Sequence, residues 1–81
     1  FNPVTAFSFS LPEESKVNIS IYSLSGHIVV GLFDGVLAPG TRKEVWDAGN
    51  LPSGVYLIRM EAVSTETGTQ YSDTRKVIMV K

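Results

Sequence analysis

Apolar and polar side chains alternate at every second position along most of this chain, a period that fits strands and excludes amphipathic helices. In residues 5–11, Phe7, Phe9 and Leu11 share one face while Ala6, Ser8 and Ser10 share the other. Pro12-Glu13-Glu14-Ser15 interrupts the pattern with a proline that cannot continue a ladder. Val17, Ile19 and Ile21 then alternate with Lys16, Asn18 and Ser20. Ser23-Leu24-Ser25-Gly26 reads as a hairpin turn, Gly26 supplying the positive φ that such turns need. Residues 27–33 read as a strand with Ile28, Val30 and Leu32 on one face, followed by turns at Asp34-Gly35 and Ala38-Pro39-Gly40.

The second half repeats this logic. Residues 41–46 read as a strand closing on Val45 and Trp46, and Asp47-Ala48-Gly49-Asn50-Leu51-Pro52-Ser53-Gly54 as a loop dense in turn formers. Val55, Tyr56, Leu57 and Ile58 are consecutive, which predicts a central strand covered on both faces. Residues 64–69 form a polar hairpin tip, and residues 71–80 one long strand or two strands broken near Asp73. Six or seven antiparallel strands with turn signals every 8–12 residues or so predict an all-β fold, a small sandwich or barrel. With 81 residues there is room for one domain, residues 1–81, and the chain begins at Phe1 and not Met, which suggests a piece of a larger protein.

Composition narrows the chemistry. A net charge of −1 lacks the basic footprint of a nucleic-acid binder. No cysteine is present and there is one histidine, so thiolate chemistry and metal sites needing two imidazoles are excluded. No apolar run approaches the roughly 20 residues of a transmembrane helix.

Ser23, Ser25, His27, Asp34 and Asp47 hold the residue types of a hydrolytic triad, but no G-x-S-x-G elbow is present, and a turn serine beside a surface histidine is the simpler reading. Glu13 and Glu14 are adjacent and point apart in an extended chain, so they read as solvated turn charges. Asp34, Asp47 and Asp73 could offer oxygens to calcium, yet no D-x-D-x-D-G loop holds them. Trp46, Tyr22, Tyr56 and Tyr71 could form a sugar platform, although Trp46 and Tyr56 read better as core. Asn18-Ile19-Ser20 fits a glycosylation sequon, and Arg75, Lys76 and Lys81 form a small basic end too sparse for nucleic acid. The residues mark no catalytic, cofactor or metal site.

The order of short motifs is more specific. Phe1-Asn2-Pro3-Val4-Thr5, then Phe7-Ser8-Phe9-Ser10-Leu11-Pro12-Glu13, is similar to an "F-N-P-x-T-x-I-x-F-x-L-P-E" opening. Val17 to Gly26 is similar to "V-x-L-x-I-Y-D-x-x-G", with Ser23 where Asp or Asn is commoner. Trp46-Asp47 resembles a "W-D" pair, Leu51 to Met60 resembles "L-A-S-G-V-Y-x-Y-R-L", and Arg75 to Lys81 resembles "K-K-M-V-L-x-K". In this order and spacing the chain resembles the type A C-terminal sorting domain of the bacterial type IX (Por) secretion system, an immunoglobulin-like sandwich of Bacteroidetes related to the hook-capping domain of flagella.

That resemblance implies a non-catalytic sorting signal that takes a cargo protein through the periplasm to the cell surface or exterior. It implies recognition by an outer-membrane translocon and a sortase-like peptidase. The implicated positions are Gly26, Trp46, Asp47, Gly54, Tyr56, Arg59, Lys76, Val77, Ile78, Met79, Val80 and Lys81. Alternatives are a carbohydrate-binding or spacer sandwich on a surface enzyme, and a hook-cap-like assembly module. On physical grounds Gly54 is expected where backbones approach closely, Arg59 to pair with Asp47 or Glu61, and the last strand to lie at a sheet edge.

Overall fold

The structure, a computed structural model, describes residues 4–80. Six strands follow one another: β1 Val4–Leu11, β2 Ser15–Ser23, β3 Ile28–Leu37, β4 Gly40–Asp47, β5 Gly54–Ser64 and β6 Gln70–Met79. They form two antiparallel sheets, one of β1 and β4 and one in the order β3-β2-β5-β6. The expected all-β sandwich is therefore present, with six strands and with residues 71–80 lying in one unbroken strand up to Met79.

Alternation places the core. Phe7, Phe9 and Leu11 of β1 meet Val17, Ile19 and Ile21 of β2, and Ile58, Met60 and Ala62 of β5, in one buried cluster closed by Trp46, Tyr56, Ala48 and Met79. Val17, Ile19 and Ile21 are wholly inaccessible to solvent. Each large aliphatic side chain so buried contributes about 1.5–3 kcal/mol, which is how a chain this short can hold two sheets together.

Three expectations need correction. Asp34-Gly35 is not a turn. Both residues lie within β3, paired with Asn18 and Val17 of β2. The glycine leaves room for the Phe33 ring, whose Cζ lies 3.2 Å from where a Cβ on Gly35 would sit, so this glycine marks a close approach and not a reversal. Second, Ile28, Val30 and Leu32 do not share a face. Register shifts between Ile19 and Ser20 and between Ile21 and Tyr22 break the alternation, because an extra residue at a β-bulge turns the following side chains over. Val30 pairs with inward-facing Ile21, whereas Ile28 pairs with outward-facing Tyr22.

Third, β5 is central but not covered on both faces. Tyr56, Ile58, Met60 and Ala62 are buried, while Val55 and Leu57 are half-buried and Arg59, Glu61 and Val63 exposed. The smaller sheet covers one side of the larger one only. The β2–β3 turn is as expected: Gly26, at a φ of 88°, donates its N–H to the Ser23 carbonyl at 3.0 Å and closes the hairpin.

Candidate functional site

The triad candidates resolve into a local clip. His27 Nδ1 lies 2.9 Å from Ser25 Oγ, which lies 2.8 Å from Ser23 Oγ. All three belong to the β2–β3 turn, and no carboxylate orients the imidazole among these contacts. Asp34 sits on β3, Asp73 pairs with Arg75 at 3.3 Å on β6, and Asp47 accepts the Gly49 N–H at 2.9 Å in the loop after β4. Among the described residues no group of three or more His, Asp or Glu is placed to hold a metal ion.

Glu13 is not a solvated turn charge. Its carboxylate accepts hydrogen bonds from Ser64 Oγ at 2.9 Å and Tyr71 Oη at 3.1 Å, and Ser64 is itself buried. Beside it, the Thr65 N–H donates to the Glu14 carbonyl and the Thr65 hydroxyl to the Glu14 carboxylate. The β1–β2 connection is thus clasped to the start of the β5–β6 hairpin across 51 residues of sequence. No local pattern could disclose this, since the partners meet only in the fold. The Ser64 bond, with help from Tyr71, holds the Glu13 carboxyl below the usual carboxylate range, and burial, together with Glu13, raises the Tyr71 phenol.

A carboxyl with a lowered folded-state pKa adds stability above its unfolded value, and that stability is lost as pH falls through the lowered one. Acidification from pH 6 to pH 3 is therefore expected to lower the thermal midpoint of the wild-type domain more than that of Glu13→Gln, with the variant the less stable at pH 6. Equal losses in the two proteins by calorimetry would refute the clasp.

The aromatic residues do not form a platform. Trp46 and Tyr56 are 3% and 7% exposed and meet edge to face at 5.5 Å and 75°. The Tyr56 hydroxyl donates to the Pro52 carbonyl at 2.7 Å, tying β5 to the loop before it. Tyr22 lies on the outer face of the larger sheet and Tyr71, opposite Ala62, on the inner. A flat sugar site would need them together.

The residues singled out from the sequence divide into two sets. Trp46, Asp47, Gly54 and Tyr56 gather around the β4–β5 loop and serve the fold. Gly54 has no close neighbour: a Cβ there would meet nothing within 4 Å, and its place is explained by a φ of 158° at the start of β5. Val77 packs against the core and Met79 is inside it. Gly26, Arg59, Lys76, Ile78 and Val80 instead reach the surface around the outer face of the four-stranded sheet. A shallow depression of about 200 Å³ lies among Tyr22, Gly26, Leu57, Arg59 and Thr74. Arg59 pairs with Glu61 at 2.9 Å, the second of its two expected partners. Lys81, and Phe1, Asn2 and Pro3 of the opening motif, lie outside the described residues.

β6 ends the order β3-β2-β5-β6, so β5 is its one strand neighbour among the described residues. Among the described residues the geometry thus offers an edge strand and a sheet face, and no reaction centre.

Comparison with known proteins identifies the family. One family, described as the secretion system C-terminal sorting domain, matches over residues 2–79. No curated protein and no solved structure matches the chain. The match spans the whole sandwich, both the buried motif residues and the strand that closes the sheet: the chain belongs to the family of Por (type IX) secretion system C-terminal sorting domains, non-catalytic sorting signals for secretion.

Proposed function

We propose that β6, with the residues that flank it, is the part of this sorting signal that the secretion machinery takes hold of. The position of β6 at the edge of the larger sheet is the observation that carries the reading. An edge strand offers backbone donors and acceptors to an added strand, and alternate side chains give such pairing its specificity. The recognised segment runs in sequence from Lys76 through Val77, Ile78, Met79 and Val80 to Lys81. Lys76, Ile78 and Val80 are its exposed side chains, Val77 and Met79 anchor it in the core, and Gly26 and Arg59 lie near its start. Trp46, Asp47, Gly54 and Tyr56 keep the sandwich in shape.

In this reading residues 1–81 form one sorting domain that follows a cargo in a longer secreted protein. The cargo crosses the periplasm, an outer-membrane translocon engages the folded domain, and a sortase-like peptidase then removes it.

A reporter with a periplasmic leader, fused ahead of residues 1–81 in a host with the type IX machinery, is expected outside the cell, and the same reporter without the domain in the periplasm. Removing only Val80 and Lys81 leaves Met79 in the core and shortens the presented end. That truncation is expected to reduce export without lowering the thermal midpoint. A full-length fusion that stays in the periplasm would end the sorting role for this chain, and unchanged export after the truncation would end the role of the terminus.

A further inference from the structure

The outer face of the four-stranded sheet changes character along its strands. Its middle rows are polar: Asp34, Asn18, Glu61 and Ser72 in one, Gly31, Ser20, Arg59 and Thr74 in the next. In the far row Val36 and Val63 are separated by Lys16. At the end beside the β2–β3 turn the apolar residues become contiguous. Ile28, Tyr22 and Leu57 follow one another across β3, β2 and β5, Lys76 completes the row on β6, and Val55 and Ile78 pair in the row beyond. Ile28 is 65% exposed and Ile78 53%, with Leu24 and Val80 exposed at either side. At the strand spacing of about 4.8 Å the row spans roughly 14 Å.

The bulge between Ile21 and Tyr22 builds this patch. Uninterrupted alternation would keep Ile28 on the inner face with Val30; the register shift places it outward against Tyr22. Bulges commonly re-aim a side chain at a functional surface, and a contiguous exposed apolar patch marks an interaction site.

Charge identifies the occupant. Lys76 stands in the apolar row and takes part in neither ion pair seen among the described residues, Arg59–Glu61 and Arg75–Asp73. A second copy of this face would bring the same cations back, with Glu61 already engaged. We propose that the Ile28–Tyr22–Leu57 face is a docking surface for a protein partner whose contact patch is apolar and bears a carboxylate placed to meet Lys76. The proposal rests on the reading that the machinery recognises the folded domain, and it adds a face to the β6 edge. Ile28 lies on β3, at the opposite edge of the sheet, and so reports on the face and not on strand addition at β6.

The test uses the reporter fusion with Ile28→Lys and Lys76→Glu, and with Asn18→Lys and Lys16→Glu as changes elsewhere on the same sheet. Ile28→Lys and Lys76→Glu are expected to cut export at least about tenfold, the scale of one lost anchor residue, with circular dichroism and thermal midpoints unchanged. Asn18→Lys and Lys16→Glu are expected to stay within about twofold of the parent. Export of Ile28→Lys and Lys76→Glu at the parental level overturns the proposal. So does an equal fall in all four variants. A parent that is dimeric by size-exclusion chromatography and made monomeric by Ile28→Lys would assign the face to a second copy. Loss of binding to anionic phospholipid vesicles in Ile28→Lys would assign it to a membrane. If removing Val80 and Lys81 stops export and Ile28→Lys does not, the edge reading stands and this one falls.

Discussion

Replacing Trp46 by alanine is expected to leave the domain without a cooperative unfolding transition. The side chain is 3% exposed and lies at the end of β4, where it meets the Tyr56 ring edge to face at 5.5 Å. Truncation of a buried aromatic to alanine costs about 3–5 kcal/mol. A single hydrophobic core in a chain of this size supplies about that much stability in total. The loss extends beyond the cavity, because Tyr56 is positioned by both the Trp46 ring and its bond to the Pro52 carbonyl. Trp46→Phe keeps an aromatic ring against Tyr56 and should still melt cooperatively. Urea titration followed by far-UV circular dichroism reads the difference. If Trp46→Ala unfolds with a midpoint close to that of the parent, the core does not depend on this contact and the structural role given to the Trp46-Asp47 motif is wrong.

The strands and the core were legible because both follow from the period of two. Phe7, Phe9, Leu11, Val17, Ile19 and Ile21 all face inward as their alternation requires. What alternation cannot disclose is where it breaks. Asp34-Gly35 is turn chemistry by composition, yet β2 is long enough to pair with both residues, and the Phe33 ring over Gly35 replaces the missing side chain. The two register shifts in β3 leave no mark in the residue pattern, so Ile28 falls on the wrong face when read from sequence. The open side of β5 was hidden for another reason: four consecutive apolar residues look the same whether a second layer covers both faces or one. Glu13 depends on Ser64 and Tyr71, more than fifty residues away, and hydrogen bonds at that distance leave no local signature.

The division of the motif residues follows from the same physics. A folded sorting signal must satisfy two demands, a stable sandwich and a displayed surface, and a motif read along the chain mixes them. Within the segment from Gly54 to Arg59, Tyr56 points into the core and Arg59 out of it. Successive side chains on a strand face opposite ways, so one short motif can carry both roles. The same holds for Met79 and Val80 at the end of the chain.

Met79→Ala is accordingly expected to lower stability by about 2–5 kcal/mol, the usual cost of emptying a buried methionine site. Met79 is 1% exposed and pairs with Gly54 across β5 and β6, so its side chain seals the end of the core beside the β4–β5 loop. Val80 is 61% exposed, and Val80→Ala should change stability by no more than about 0.5 kcal/mol. Removal of residues 77–81 takes away Met79 and also Val77, which packs against the same cluster. Such a truncation should therefore abolish export by unfolding the domain, whatever the machinery recognises. Export of Met79→Ala and Val80→Ala, each measured beside its urea midpoint, separates the two effects. Met79→Ala is expected to lose export in proportion to its folded fraction at the growth temperature. A Met79→Ala protein with parental stability would show that the terminal strand is not part of the core.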